Sequence, residues 1–423
     1  MSDIRLAILE SGFGLGGWIP RALDASVQAP RFPGLKGDKL WMAEALVAAM
    51  EGIGRSSPNP AVGALLVQGG LVIGQGATET YGALHAERVA INSADVNALQ
   101  GSTCYVTLEP CGGLNGKQPP CADALINAGI TRVVVATNDP HIKAGGLGLT
   151  QLKNAGIEVE SGCLAAEAKA WHFPFLAYQD KQSPIIIGKW AQTLDGHLAD
   201  DDNHSQWISG SRSRRYTHWL RQKYDAIMVG VATVLHDKPR LTARESALPH
   251  ARDPHKIIFD PSARLSSASA ETLTALFDKT ESLGPIVYWC TDPRTLTLPP
   301  VLLPYKDRIE HLPIVDTHNL AGLLAHLAAA HRKRFGRDLQ SIFVEGGAQL
   351  LTLLMRADLL DACHIFVRAG ILGGSRNRIG RLERGENLSL PLMQRTDYKL
   401  LTTLAIDDDV LIECVHRRYQ FWS

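Results

Sequence analysis

Apolar and polar positions alternate along this chain in two successive patterns. From Leu40 to Met50 the sequence "LWMAEALVAAM" combines good helix formers with apolar residues spaced for one helical face, which predicts a helix. "SSPNPAVGALLVQGGLVIGQG" reads as loop, strand, a turn at Gln68-Gly69-Gly70, and strand. The short apolar runs "TCYVTL" and "RVVVAT" read as buried strands, with helical stretches starting near His85 and near Pro120. Strands alternating with helices predict an α/β layer fold with a partly parallel sheet. Residues 161–184, "SGCLAAEAKAWHFPFLAYQDKQSP", read as a helix followed by a polar connector. After it a second α/β pattern opens at "PIIIGKWAQTLDG", with further strands expected at "DAIMVGV", "HKIIFD", "PIVYWC", "SIFVEGG" and "ACHIFV". The expected organisation is an irregular extension over 1–37, one domain over 38–180 and another over 184–423. The sequence shows neither internal repeats nor a low-complexity tract.

The totals narrow the classes. A chain of 423 residues suggests two domains, and 45% hydrophobic against 20% charged residues supports full cores. Lys plus Arg equals Asp plus Glu at 43 each, so no whole-chain attraction to nucleic acid or an anionic membrane is expected. Seven cysteines in so long a chain make no disulfide framework; the odd count suggests thiols or a metal. No apolar run approaches the roughly twenty residues that span a bilayer. The early stretch "LAILESGFGLGGWIP" has Asp3 and Glu10 in or beside it and no basic region before it, a poor secretory signal. A cytoplasmic protein without nucleic-acid or membrane partners is expected.

The chemistry concentrates in "LHAERVAI" and "LEPCGGLNGKQPPCAD". His85 and Glu87 stand at the start of one expected helix, and Cys111 and Cys121 flank a loop leading into another. One imidazole and two thiolates fill three positions of a tetrahedral zinc site, the catalytic rather than the structural pattern. Helix N-termini favour the thiolates, and Glu87 can shuttle a proton. The bland alternative is a solvent-facing His–Glu pair plus two buried free cysteines, and His-x-Glu alone is weak. The combination with Pro-Cys, a second cysteine and strand–helix context favours a zinc aminohydrolase. The cysteines are ten residues apart here, against three in the usual deaminase signature.

With that wider spacing, "SSPNPAVGALLV", "HAE", "YVTLEPC", "PPCADALINAGITRVVVATNDP" and "LKNAGIEVESG" together resemble the deaminase domain of the bifunctional riboflavin-biosynthesis deaminase/reductases. The resemblance implies a cytidine-deaminase-like α/β/α domain in which His85, Cys111 and Cys121 bind zinc, Glu87 shuttles the proton and Asn59 touches the pyrimidine. The family's loop between the cysteines is usually one residue shorter and carries a Ser-His pair; "CGGLNGKQPPC" lacks it, and Gln118 replaces a threonine. Thr78 stands where a histidine is usual.

In the second half, "VEGGAQLL" is a strand ending in two glycines before an apolar helix, a place where backbone amides can approach phosphate. Arg240 and Arg244 in "LHDKPRLTAR" offer an oxyanion clamp, although isolated arginines read first as an exposed charged loop. Together with "KWAQTLDG" and "SQWISG", these stretches resemble the reductase domain of the same family, a dihydrofolate-reductase-like α/β domain that uses NADPH. The resemblance runs from about residue 38 to 380. It implies that Ala191, Trp207, Thr233, Asp237 and the segment Gly347, Ala348, Gln349, Leu350, Leu351, Thr352 and Leu353 contact NADPH. Ser205, Arg221, Leu241, Arg244 and Glu345 would hold the ribosyl phosphate. Taken alone, Trp207 reads as a core tryptophan. Lys238 replaces a usual aspartate, and Arg368-Ala369 an apolar residue and a proline.

The resulting expectation is zinc-dependent deamination of a diaminopyrimidinone ribosylamino-phosphate, then NADPH-dependent reduction of ribosyl to ribityl, in a homo-oligomer with one zinc per chain. The alternatives are a reductase that keeps its deaminase-like half as a structural or assembly module, and a nucleic-acid deaminase. Intact Glu87 opposes the first and neutral charge the second. Cys104, Cys163, Cys290, Cys363 and Cys414 carry no ligand spacing and read as structural. His141, His172 and His204 read as surface or satisfied histidines.

Overall fold

The computed structural model describes residues 32, 34–112, 119–140, 145–202, 204–244, 252–277, 285–294, 296–374, 378–379 and 396–419. Nearly all of the expected N-terminal extension, and residues 113–118 of the loop between the cysteines, lie outside the described residues. The chain divides into two compact units between Gln182 and Ser183.

The first unit begins with helix α1 (Asp38–Ala48), followed by strands β1 (Gly63–Gln68) and β2 (Leu71–Ala77). Then come α2 (Ala86–Ser93), β3 (Thr103–Val106), α3 (Cys121–Asn127), β4 (Arg132–Val135), α4 (Leu147–Asn154) and β5 (Glu158–Ser161). The five strands lie in the order β2-β1-β3-β4-β5. β1 is antiparallel to both β2 and β3, while β3, β4 and β5 are parallel. Glycine determines how closely one helix approaches this sheet. On β2, a Cβ at Gly74 would stand 2.4 Å from the Ala90 carbonyl oxygen, and one at Gly76 2.3 Å from that of Ala86. The "GQG" sequence thus lets the backbone of α2 ride directly on β2, fixing the helix start that carries His85 and Glu87.

Residues 161–184 form two short helices, α5 (Ala165–Trp171) and α6 (Phe173–Lys181), where one helix and a polar connector are expected. Pro174 near the start of α6 and the non-helical His172 separate them. Strand β5 is absent from the sequence reading because "EVES" holds one apolar residue.

The described residues of the second unit form a nine-stranded sheet in the order β10-β9-β8-β7-β11-β6-β12-β14-β13. They are β6 (Ile185–Thr193), β7 (Ala226–Gly230), β8 (His255–Phe259), β9 (Val287–Thr291), β10 (Ile309–Pro313), β11 (Ser341–Val344), β12 (Ala362–Arg368), β13 (Tyr398–Ile406) and β14 (Asp409–His416). The first seven are parallel, and β14 pairs antiparallel with both β12 and β13. Helices α7 (Ser211–Lys223), α8 (Val231–Asp237), α9 (Leu320–Phe335) and α10 (Ala348–Arg356) connect strands. Side chains of β7 alternate between two cores: Ala226 and Met228 join the cluster of Leu327, Leu351 and Leu354, while Ile227 and Val229 join Leu241, Leu273 and Trp289. Both faces are covered, as a parallel sheet requires. Strands β10, β13 and β14 escape the sequence reading. Strand β10 is a short edge ending in Pro313. The other two form a hairpin beyond the last quoted motif.

Candidate active sites

The first site is assembled at two helix starts. His85 is the N-cap of α2 with extended backbone (φ −81°), so its ring is free of the helix and turned toward α3. Cys121 is the first residue of α3, and Cys111 ends the segment after β3. Both sulfurs lie beside the same imidazole nitrogen: Cys111 Sγ is 3.6 Å and Cys121 Sγ 3.5 Å from His85 Nδ1. All three ligand atoms fall within 4.8 Å of one another. Zinc bonds of about 2.3 Å to sulfur and about 2.0–2.1 Å to nitrogen, at tetrahedral angles, separate S from N by roughly 3.6 Å. The residues present fit zinc.

Neighbouring bonds hold this arrangement. The Cys121 N–H donates to Cys111 Sγ at 3.3 Å, and the Ala122 N–H to the Cys111 carbonyl at 3.2 Å. Arg88, one residue past Glu87, donates to the Pro119 carbonyl at 3.1 Å and ties α2 to the start of α3. Glu87 is 3% exposed. Burial, and then the Cys111 charge, push its carboxyl up to about 7, opposed by His85 and by a hydrogen bond from Cys121. A hydrogen bond shared between the thiols holds Cys111 below the usual thiol range and Cys121 above it.

Asn59 is half-buried, its N–H closing a turn on the Ser56 carbonyl at 2.9 Å. Thr78 is buried and committed to the scaffold: its Oγ1 accepts from the Val62 N–H at 3.1 Å, and its own N–H donates to the Val62 carbonyl at 2.9 Å. The sequence reading passes over Glu109, buried two residues before Cys111, whose Oε2 accepts from the Asp139 N–H at 3.2 Å. A carboxylate inside the apolar run "YVTLEPC" was the available signal. His172 is buried and satisfied by Thr107 Oγ1 at 3.1 Å; His204 is exposed beside Asp200; His141 lies outside the described residues.

In the second unit, Arg221 of α7 grips Glu345, the residue after β11, with a bidentate pair: Nε–Oε1 2.6 Å and Nη2–Oε2 3.0 Å. Its Nη1 donates to the Thr242 carbonyl at 2.9 Å. Arg221 and Glu345 are therefore joined to the turn bearing Leu241 and Arg244. Leu241 is buried in the core with φ 52°, so only its backbone faces that turn. Arg244 is exposed and donates to Thr242 Oγ1 at 3.3 Å. Burial pushes the Glu345 carboxyl up, yet Arg221 and Lys189 outweigh it and hold it below its ordinary value.

Lys189 is the residue missed here. It is a lysine within the apolar strand β6, its Nζ 5.5 Å from the Phe366 ring centre, and burial lowers its pKa against the opposing pull of Glu345. One cation in the apolar run "PIIIGKWA" was a legible signal, because a charge on an otherwise buried strand is rarely left without a partner.

A Cβ built on Gly347 would stand 4.0 Å from Thr233 Oγ1, so the glycine leaves an open lane between α8 and the start of α10. Trp207 is 68% exposed beneath the Arg214 guanidinium, 4.5 Å from its ring centre, which corrects the core reading of that tryptophan. Ser205 and Ala191 are half-buried; Ser205 accepts from the Ile208 N–H at 3.1 Å, and Ala191 pairs with Phe366. Asp237 is exposed at the end of α8, and Lys238 beyond it bonds Glu271 at 2.5 Å. Gly347 and Gln349 are exposed and Ala348 is half-buried in the first turn of α10, but Leu350, Leu351 and Thr352 point into the interior and Leu353 packs against it. For those four the expected cofactor contact is restricted to backbone. Arg368 pairs with Asp408 at 3.1 Å, and the Ala369 N–H donates to the Asp408 carbonyl, a bond proline could not make.

A His–Cys–Cys trio able to hold a metal, beside a buried glutamate, and a second α/β unit with a part-buried arginine–glutamate–lysine cluster are the features of a zinc-dependent deaminase joined to a reductase. Residues 35–137 match the cytidine and deoxycytidylate deaminase zinc-binding region, and residues 184–412 match the RibD C-terminal domain. The riboflavin biosynthesis protein RibD of Aquifex aeolicus is 37% identical over 336 residues, covering 79% of this chain and 88% of its own. That of Escherichia coli is 33% identical over 368 residues, covering 83% and 93%. The crystal structure of a diaminohydroxyphosphoribosylaminopyrimidine deaminase/5-amino-6-(5-phosphoribosylamino)uracil reductase from Thermotoga maritima covers 90% of this chain and 98% of its own, with 32% identity and a TM-score of 0.72. The chain belongs to the RibD family, the bifunctional deaminase/reductases of riboflavin biosynthesis.

Proposed function

We propose that the first unit hydrolyses the 2-amino group of 2,5-diamino-6-(5-phosphoribosylamino)pyrimidin-4-one, and that the second reduces the ribosyl side chain of the product to ribityl with NADPH. The observation that carries the first half is the pair of 3.5–3.6 Å sulfur–nitrogen contacts around His85 Nδ1, the edge lengths of a tetrahedral zinc site. His85, Cys111 and Cys121 would hold one zinc per chain, which would supply the Lewis acidity that makes water a nucleophile near neutral pH. Glu87, buried beside these ligands, takes the proton from the attacking water and delivers it to the leaving amine. Asn59 orients the pyrimidine.

In the second unit the cofactor supplies hydride, and the chain's task is orientation. Thr233, Asp237, Trp207, Ala191 and the Gly347–Leu353 segment would contact the cofactor, a reading that rests on the family resemblance and on the 4.0 Å approach of a Cβ built on Gly347 to Thr233. Arg244, exposed on its turn, takes the phosphate with Ser205 and the backbone at Leu241. Arg221, Glu345 and Lys189 hold the ribosyl oxygens in a site where burial strengthens each polar contact. NADPH rather than NADH rests on the RibD resemblance. The balanced charge and the family support a cytoplasmic homo-oligomer acting on small molecules; no described helix is long and apolar enough to cross a membrane.

Mass spectrometry of products tests both halves. Deaminated product without NADPH, ribityl product with it, and neither from Glu87→Gln given the diamino substrate are expected. Reduction of supplied deaminated substrate by a wild-type enzyme that deaminates nothing would reduce the first unit to a structural module.

A further inference from the structure

We propose that Cys363 and Cys414 form a redox-active dithiol, which a hydroperoxide converts into a reversible disulfide across strands β12 and β14. The two cysteines are direct partners in the antiparallel register of these strands. They share one face, because residues directly opposite in an antiparallel pair point the same way. Both pack against the core containing Leu351, Leu354 and Leu360. Two backbone bonds fix the phase of the ladder: the His416 N–H donates to the Asp361 carbonyl at 2.8 Å, and the Ala369 N–H to the Asp408 carbonyl at 3.1 Å. Alternation along the ladder then makes Cys363–Cys414 a hydrogen-bonded pair with Cα atoms about 5.5 Å apart. That is within the roughly 4.4–6.8 Å seen across disulfides.

The strands have room to adjust. On β6, the neighbour of Cys363 is Gly188, which brings no side chain against it. On the other side, β13 slips register between Leu400 and Thr402, opposite Cys414 and Glu413, so the ladder is interrupted where β14 must shift. The thiols are chemically unequal. Cys363 is 3% exposed, whereas Cys414 is partly exposed and both the thiol and the backbone N–H of Cys363 hydrogen-bond its sulfur, which lowers its pKa. Thiolate character and access select the sulfur that oxidises first.

The step balances. The Cys414 thiolate attacks one peroxide oxygen, breaking the O–O bond to give a sulfenic acid and, after protonation, water or an alcohol. Cys363 sulfur then attacks Cys414 Sγ, the S–S bond forms, and hydroxide leaves with the Cys363 proton as water. Two thiols are oxidised and one peroxide is reduced. In a reducing compartment the pair rests as the dithiol, which suits a transient, sensing bond rather than a permanent staple.

The test is hydrogen peroxide titration of the full-length zinc-loaded protein, followed by alkylation of remaining thiols, proteolysis and peptide mass spectrometry. A cross-linked peptide joining residues 363 and 414, lighter by two hydrogens, is expected. Dithiothreitol should dissolve it, Cys414→Ser should lack it, and Cys104→Ser should still form it. Oxidation of Cys111 or Cys121 appears on other peptides and does not obscure the result. Accumulation of Cys414 sulfinic acid without the cross-link, or alkylation of both residues after peroxide, would overturn the proposal.

Discussion

In the first unit, the four candidate side chains lie between residues 85 and 121: His85 and Glu87 at the start of α2, Cys121 at the start of α3, and Cys111 in the segment after β3. In the second, the central ion pair joins residues 124 apart, and its neighbours arrive from a strand, a turn and a glycine-flanked helix start. The difference follows from what each site must hold. A metal demands ligand atoms at fixed bond lengths, so a few residue types at short spacing suffice. A phosphoribosyl group and a dinucleotide are long, and shape, backbone and distributed charge recognise them. The first site is therefore vulnerable at single atoms, and the second through its supports.

The largest expected effect separates the two sites. His85→Ala should drop bound zinc below one per chain and deamination below detection, while reduction of deaminated substrate persists at the wild-type rate. Zinc content by atomic emission, measured beside both rates, checks this. Loss of both activities together would mean that the sites are not independent. Second, Arg221→Met leaves the part-buried Glu345 carboxylate without its bidentate partner, at a cost of about 1–3 kcal/mol. Reductase activity should vanish and calorimetry should show a lower transition, with deamination retained. The double variant Arg221→Met/Glu345→Gln should recover part of the stability but none of the activity, since the single variant's cost lies mainly in the orphaned charge.

That His85, Cys111 and Cys121 come together was readable because helix starts and short spacing survive translation into sequence. The fit of α2 against β2 was not: Gly74 and Gly76 look like ordinary strand glycines until the carbonyls of Ala86 and Ala90 are placed over them. The reductase stretches were visible mainly through their resemblance to a family. Their physical content, the Arg221–Glu345 pair and the part-buried Lys189, depends on long-range strand order that no local pattern encodes. The same holds for Cys363 and Cys414, which lack ligand spacing and meet because β14 inserts between β12 and β13. For Leu350, Leu351 and Thr352 the motif transfers positions without saying which way side chains point, and these three side chains are buried.

A smaller effect asks whether departures near the first site are scaffold or chemistry. Thr78→Val removes the acceptor of the Val62 N–H and should cost about 1–3 kcal/mol. Thr78→Ser should restore it. If the residue serves the fold alone, thermal midpoints will follow this order while the deamination rate of the folded enzyme stays level. A fall in that rate with unchanged stability would move Thr78 into the substrate site.

The smallest effect tests how α1 is fastened under the first site. Asp38 accepts from Arg132 through Nη1 at 2.9 Å and Nη2 at 2.8 Å, and from the Tyr105 hydroxyl at 2.7 Å. The Arg132 hydrogen bonds hold its carboxyl below the ordinary range, outweighing burial. A depressed folded pKa gives stability that is present above the unfolded value of about 3.9 and disappears as pH falls through the folded one. Asp38→Asn should therefore lower stability by roughly 1 kcal/mol at neutral pH, the amount partial exposure allows. Arg132 keeps Glu158 and Glu160 as partners, which limits the loss. The gap between wild type and variant in urea unfolding should stay constant down to about pH 5 and close below about pH 4. A gap that persists in acid would assign the effect to the neutral hydrogen bond with Tyr105 instead of the ion pair.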